Sequence, residues 1–342
     1  MDGTSSDDPA ADFRPRAPWR NLRLRAELLR KARHFFDVRD FLEVETPLLS
    51  VDVVVDRHLD PLGVVLPDDP RRPEAGRRLW LQTSPEFAMK RLLATRGEQA
   101  PGAIFQITRA FRGGETGPLH NPEFTIVEWY RAGDDMAAGM ALLSDLCEAL
   151  LGRGPAERIS YAAAFEKFVG LDPHAASSAE CRAVAADCGI AVPDSLGDDR
   201  DGWLDLLLTE RIQTHLGRPR PTILFDFPAT QAALARIRAP DAGSGNPAVG
   251  ERFELYVDGI ELANGYHELL DAAELRRRQS TANAHRRADG RPALPETSRL
   301  LAAMEAGLPP ATGVALGFDR LAMIAAGARD LREVIAFPID RA

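Results

Sequence analysis

Asp258-Gly259, set between strand-like runs at residues 253–257 and 260–264, constrains the fold more than any other feature of the sequence. A two-residue Asp-Gly connection between β-formers calls for a type I′ hairpin, because both central residues must take positive φ. That commits this part of the chain to an antiparallel sheet. In the register such a turn imposes, Glu254 faces Ala263 and Tyr256 faces Glu261. Glu254 and Glu261 are then diagonal neighbours on one face, with Cα atoms roughly 7 to 8 Å apart. Carboxylates at that spacing suit a shared hard cation such as Mg²⁺, completed by triphosphate oxygens and water; they suit two solvated acids as well.

The rest of the chain reads as mixed α and β. Leu22, Leu28, Leu29, Ala32, Phe35 and Phe36 recur at helical spacing after a polar stretch, residues 1–17, that is expected to be a disordered tail. Strands are expected at 41–47 and 79–83, with a helix from Pro85 to Leu93 that has proline in its first turn. Two further strands, 104–112 and 124–130, flank a Gly-containing polar loop and form a second candidate hairpin. Residues 134–217 turn helical, with Met136, Met140, Leu143 and Leu150 on one face, and are expected to be a helical insertion. Strands return at 222–227 and 253–269, and the weakly patterned stretches 67–76, 239–250 and 289–295 read as loops. Strands grouped around helical blocks indicate an α+β fold, an antiparallel sheet flanked by helices, in one domain over 18–342.

Composition narrows the function. The chain has 42 basic and 51 acidic residues, a net charge of −9, which disfavours a nucleic-acid partner. Cys147, Cys181 and Cys188 match neither a zinc site nor a disulfide framework and are expected to be reduced, buried thiols. The sequence lacks both a leader-like apolar region and any run near the roughly 20 apolar residues of a membrane span. A cytoplasmic protein with no membrane partner is expected.

Chemistry concentrates in three places. On the strand at 124–130, a period of two puts Phe124, Ile126, Glu128 and Tyr130 on one face, and the preceding loop supplies Arg112, Glu115 and His120. A guanidinium fork there can grip a phosphate while the aromatic face takes a base, although the strand alone leaves open that Glu128 faces water. In the 253–269 hairpin, strict alternation opposes Glu268 to Glu261 unless a bulge at Gly265 turns it inward, and that bulge is expected. Near the C-terminus, residues 313–320 form a strand-to-helix junction with Gly317 and Arg320, similar to a phosphate-facing helix start.

Taken in order, these segments resemble the three signature motifs of class II aminoacyl-tRNA synthetases. Phe41-Leu42-Glu43-Val44-Glu45-Thr46-Pro47 resembles motif 1; Phe111-Arg112 through His120-Asn121-Pro122-Glu123-Phe124 to Glu128-Trp129-Tyr130 resembles motif 2; residues 313–320 resemble motif 3. The run from Ile260 to Leu269 is similar to the lysyl branch. Thr83-Ser84-Pro85-Glu86, Met89-Lys90-Arg91, Glu128-Trp129-Tyr130-Arg131 and Glu333-Val334-Ile335-Ala336-Phe337 resemble the lysyl-tRNA synthetase paralogues that ligate (R)-β-lysine to elongation factor P.

The resemblance implies a catalytic core of the class II type that consumes ATP with Mg²⁺, attaches (R)-β-lysine or lysine to elongation factor P, and forms a homodimer through motif 1. Arg112 and Arg320 would act on the phosphates. Gly113, Gly114, Glu115, His120, Asn121, Phe124, Glu261, Leu262 and Gly317 would complete the ATP site, with Phe124 stacked on adenine. Glu254 and Glu261 would hold Mg²⁺. Ser84, Pro85, Glu86, Glu128, Tyr130, Asn264, Glu268 and Ala315 would line the amino-acid pocket. Only about forty residues precede motif 1, where the synthetases carry an anticodon-binding barrel, so no tRNA partner is expected. Two positions depart from the synthetase pattern. Gly113-Gly114 follow Arg112 where an acid is usual, with the acid displaced to Glu115, and Ala315 stands where lysyl-tRNA synthetases have glycine. A small-molecule amine as acceptor, and a non-catalytic binding module, are the alternatives.

Overall fold

The computed structural model describes residues 13–95, 100–191, 196–240 and 247–342. Its strands in chain order are β1 (Leu42–Glu43), β2 (Leu49–Ser50), β3 (Gly63–Pro67), β4 (Gly76–Leu81), β5 (Ala103–Phe111), β6 (Glu123–Ala132), β7 (Glu157–Ser160), β8 (Thr222–Pro228), β9 (Ile237–Arg238), β10 (Val249–Val257), β11 (Ile260–His267) and β12 (Ala311–Gly317). The helices are α1 (Trp19–Asp37), α2 (Glu86–Leu93), α3 (Met136–Leu151), α4 (Tyr161–Val169), α5 (Ser178–Asp187), α6 (Arg200–Leu207), α7 (Ala272–Ala288), α8 (Arg299–Gly307) and α9 (Phe318–Ala325).

The main sheet runs β1-β5-β6-β12-β11-β10-β8-β7, with β9 paired to β10, and β2-β4-β3 form a small second sheet. The interior pairs of the main sheet are antiparallel, as the hairpins require, and a parallel pair closes each end: β1 with β5 and β7 with β8. One face of the sheet is buried. Phe105, Trp129, Val314, Leu316, Phe253 and Leu255 meet α1, α3 and α9 in a core that includes Phe36, Leu143, Leu146 and Leu321. On the other face a further core of α2, α7 and α8 packs over Ile104, Tyr130 and Ala311, and the rest of its middle forms the floor of a large cleft.

The segment 134–217 divides in two. α3 lies on the sheet and belongs to the main core, whereas α4 to α6 build a second core around Tyr161, Phe165, Trp203 and Leu207 against Leu224 and Phe227 of β8. It also contains a strand, β7, where the sequence suggested only helix: Glu157 to Ser160 is too short for its periodicity to stand out, and pairing with the β8 edge defines it. Of the polar tail, residues 1–12 lie outside the described residues. Of residues 13–17 only Ala17 is buried, and the Arg16 N–H donates to the Ala336 carbonyl at 2.8 Å. Residues 241–246 of the 239–250 loop also lie outside the described residues. Cys147 and Cys181 are free and buried, and Cys188 is free and half-buried.

The hairpin turn has the backbone foreseen for it, with Asp258 at φ 53° and Gly259 at φ 79°. Its register differs beyond the first pairs. Tyr256 pairs with Glu261, but Leu255 then pairs with Ala263 and Glu254 with Asn264, so Leu262 is an extra residue in β11. The bulge therefore sits at Leu262, three residues before Gly265, where pairing is regular. Glycine is needed at 265 for packing instead: a Cβ there would stand 2.5 Å from the Phe253 ring.

Candidate functional site

Two rows of side chains cross the cleft floor. Register places Glu128, Ala315, Asn264 and Glu254 side by side on β6, β12, β11 and β10, and Tyr130, Gly313, Tyr266 and Arg252 in the row beside them. Residues directly opposite on neighbouring strands share a face, so a period of two on four strands is enough to gather these groups. The cleft has a volume of about 1010 Å³ and is walled by residues 54–59, the 112–121 loop, the 229–234 segment and one side of α7.

One end is acidic and buried. Ser84 Oγ donates to Glu128 Oε2 and Tyr130 Oη to Glu128 Oε1, each at 2.7 Å. Pro85 caps the start of α2, which brings Glu86 and Lys90 into the same space four residues apart. Lys90 Nζ is 2.5 Å from Glu86 Oε1 and also pairs with Glu268. Two carboxylates thus pair with one ammonium, and a third, Glu128, lies close enough to feel its charge. Burial pushes Glu128 up to about 7, reinforced by the charge of Glu86 and opposed by Ser84, Tyr130 and Lys90. Burial likewise raises Glu268, with Lys90 opposing, and Glu268 Oε1 has no hydrogen-bond donor. Burial acts to lower Lys90, but the charges of Glu268 and Glu86 outweigh it and hold the ammonium protonated. Gly313 is obligatory beneath this cluster, since a Cβ would lie 2.2 Å from the Tyr130 ring and 2.3 Å from Glu268 Oε1.

The other end is basic and more open. The Arg112 guanidinium lies 5.0 Å from the centre of the Phe124 ring, 3.9 Å from Glu115, and its buried Nε has no partner. Gly113 donates its N–H to the Asp60 carbonyl at 2.7 Å, and Gly114 has φ 79°, so the two glycines let the loop turn close to residues 54–60. Arg320 donates to the carbonyls of Leu119 at 3.2 Å and Glu261 at 2.9 Å. Its Nη2 approaches His120 Nε2 at 2.6 Å. Burial and the Arg320 charge lower His120, so the imidazole is neutral at pH 7 with Nε2 as acceptor. Leu262 and Gly317 line the cleft beside Arg320. Asn121 also lines it, but its amide is committed to protein, donating to the Glu123 carbonyl at 2.6 Å and accepting from Ile339 N–H at 3.0 Å.

Glu261 faces the cleft, and burial among its walls together with the charge of Glu254 raises it above the ordinary carboxylate range, although its side chain keeps 37% of its exposure. The Glu254 charge is the firmer of these causes, because water reaches Glu261 from the cleft. Glu254 itself lies beneath the floor, bonded by Arg252 Nη2 and Tyr256 Oη at 2.5 Å each. Two acids pressed together on one face fit a divalent cation that also takes phosphate oxygens. Among the described residues no group of three or more His, Cys, Asp or Glu forms a self-sufficient metal cage.

Thirteen of the sequence-derived site residues line the cleft: Ser84, Glu86, Arg112, Glu115, His120, Asn121, Phe124, Glu261, Leu262, Asn264, Ala315, Gly317 and Arg320. Glu128, Tyr130, Glu254 and Glu268 lie just under its surface. Sequence reasoning passed over Lys90 and Arg252 as functional groups. The available signals were the four-residue spacing from Glu86 to Lys90 and the two-residue spacing from Arg252 to Glu254, which place each cation on its acid's face. It also passed over Gln279 on α7, a buried cleft residue whose amide has no partner at either end. Asp319, buried within motif 3, accepts from Thr125 N–H at 3.0 Å and pairs with Arg25 at 2.5 Å, tying α9, β6 and α1 together beside the site.

A sheet with an acidic pocket at one end and an arginine-flanked aromatic shelf at the other suits a ligand that is cationic at one end and carries phosphate at the other. Residues 4–341 match the model of tRNA synthetases class II (D, K and N), and the chain belongs to that family. Its similarity is closer still to the elongation factor P--(R)-beta-lysine ligase of Klebsiella pneumoniae subsp. pneumoniae, 46% identical over 334 residues, 97% of this chain and 99% of the relative. The elongation factor P--(R)-beta-lysine ligase of Salmonella arizonae is 44% identical over the same shares of both chains. The class II resemblance read from the motifs is thereby borne out, as is the narrower likeness to the ligases.

Proposed function

We propose that this chain activates (R)-β-lysine, or lysine, with ATP and transfers it to a lysine side chain of elongation factor P. The observation that carries this reading is the buried pocket that holds Glu86, Glu128 and Glu268, of which Glu86 and Glu268 pair with Lys90, leaving more carboxyls than cations in the cluster. An amino acid with two ammonium groups supplies that charge, and the basic end of the cleft takes the triphosphate.

In the first step an oxygen of the substrate carboxylate attacks the α-phosphorus of ATP, forming the acyl–phosphate bond while the bond to the β-phosphate oxygen breaks and pyrophosphate leaves. Arg112 and Arg320 offset the charge that builds on the phosphates, and the floor holds the carboxylate in line. Glu261, backed by Glu254, would hold Mg²⁺, which supplies charge neutralisation at the triphosphate. In the second step the acceptor amine attacks the carbonyl carbon of the mixed anhydride; an amide forms, AMP leaves, and the amine's proton passes to solvent. The chain supplies position and charge and needs no covalent nucleophile. The net charge of −9 favours a protein over a nucleic acid as acceptor. Exposed Leu42, Leu48 and Leu49 around motif 1 support a homodimer through that face.

Amino-acid-dependent exchange of pyrophosphate into ATP tests the activation step. The parent protein should exchange with (R)-β-lysine or lysine, and Arg112→Ala should lower kcat/KM by about 10²-fold or more, the scale of one lost transition-state donor, with an unchanged melting curve. Full activity in that variant would sink the assignment.

A further inference from the structure

Residues 54–60 run along the cleft as a strap with no helix or strand of its own. Within it the Asp56 carboxylate accepts the His58 and Leu59 N–H groups, and Arg57 reaches out to ion pairs with Asp289 and Asp199. Beneath it the anchor is one buried cation. Arg286, in the last turn of α7 and 1% exposed, donates Nη1 to the carbonyls of Asp56 at 3.0 Å, Leu59 at 2.9 Å and Arg57 at 3.4 Å, and Nη2 to the Asp60 carboxylate at 2.9 Å. Its Nε is held by the Pro292 carbonyl at 2.9 Å. Arg291 adds a bond to the Arg57 carbonyl at 3.1 Å and an ion pair with Asp60 at 3.4 Å. A guanidinium can serve this many carbonyls because its five donors sit in a rigid fork; an ammonium cannot. The strap in turn meets the motif 2 loop, where the Asp60 carbonyl accepts the Gly113 N–H at 2.7 Å. The fit is close, since a Cβ on Gly113 would stand 3.1 Å from that oxygen and 3.2 Å from Leu62.

We infer that Arg286 is a positioning residue for adenylate formation: it fixes the 54–60 strap and, through the Asp60–Gly113 hydrogen bond, the loop that carries Arg112. This rests on the reading of Arg112 as a phosphate ligand of ATP. Arg286 touches neither the loop nor the cleft's basic end, so any effect on ATP passes through the strap.

Arg286→Met keeps the apolar stem and removes the fork. Hydrogen exchange followed by mass spectrometry should show faster exchange at 54–60 and also at 111–117. KM for ATP in pyrophosphate exchange should rise about five-fold or more, the scale of one lost hydrogen bond, and Arg286→Lys should restore neither. Loosening confined to the strap, with the 111–117 loop and the ATP KM unchanged, would make Arg286 merely structural and overturn the inference. Should Arg286→Met not fold, Gly113→Ala presses on the same contact from the loop side. Faster exchange at 111–117 with a raised ATP KM supports the relay, and parental values for both overturn it. The exchange readout needs no turnover. A parent protein that makes no adenylate would therefore contradict the proposed function while hydrogen exchange still decided the relay.

Discussion

Glu128 shows how a single residue's surroundings set its chemistry. Buried beside Glu86, it is pushed up to about 7, although Ser84 and Tyr130 both donate to its carboxylate. A carboxyl raised in the folded state binds its proton more tightly than in the unfolded chain, where its pKa is about 4.3. Its effect on stability is therefore absent below the unfolded value and grows as a cost while pH rises through about 7. Lys90 is shifted at the alkaline extreme and does not enter this window. Glu268 and Glu261, raised in the same way, add to this cost, so the substrate-free protein should melt at a lower temperature at pH 8 than at pH 6, and Glu128→Gln should reduce the difference without removing it. A dicationic amino acid favours the ionised form, so binding near pH 7 should release protons, visible in titration calorimetry as a dependence of the heat on buffer ionisation. Equal heats in all buffers would show that Glu128 is already ionised in the free protein.

At the scale of elements, β11 and β12 show how glycine positions divide between packing and access. Gly265 and Gly313 have no room for a methyl group, with neighbours at 2.5 and 2.2 Å, whereas a Cβ on Gly317 meets nothing nearer than the Leu262 carbonyl at 3.7 Å. Gly265→Ala should destabilise by about 1–3 kcal/mol in denaturant titration, the ordinary cost of overpacking. Gly317→Ala should unfold like the parent yet raise KM for ATP, because the added methyl points toward the cleft. A parental KM in that variant would remove Gly317 from the nucleotide site. These elements were also where the sequence was most and least legible. Period two on 124–130 gathered Phe124, Glu128 and Tyr130 correctly, and Asp258-Gly259 fixed the turn, because both signals are local. The bulge at Leu262 was placed at Gly265, because glycine marks bulges and tight packing alike and only the Phe253 ring tells them apart. Lys90 lies in a motif run, but the sequence alone does not put it in the pocket, since its pairing depends on Glu268, 178 positions away in the chain.

Across the whole molecule, the fold sorts charge as well as hydrophobicity. A chain of net charge −9 concentrates Arg112 and Arg320 at one end of a cleft and Glu86, Glu128 and Glu268 at the other; under the proposed function, ATP and a dicationic amino acid would meet head to tail over the same floor. The α+β class and the class II core were legible because the motifs recur in order along the chain. The division of 134–217 between the main core and a second core was not, because amphipathic helices announce that one face is buried without saying against what. The strap at 54–60 was equally hidden, as its long-range ties run to Arg286, Asp289 and Asp199, all more than a hundred residues away. Under the proposed function the activated amino acid ends on a protein lysine. Intact-mass measurement of elongation factor P after incubation with this protein, ATP, Mg²⁺ and either (R)-β-lysine or lysine tests it most directly. The account predicts a gain of one lysyl unit that disappears with Arg112→Ala; an unchanged mass, with pyrophosphate exchange still running, would contradict the assigned acceptor.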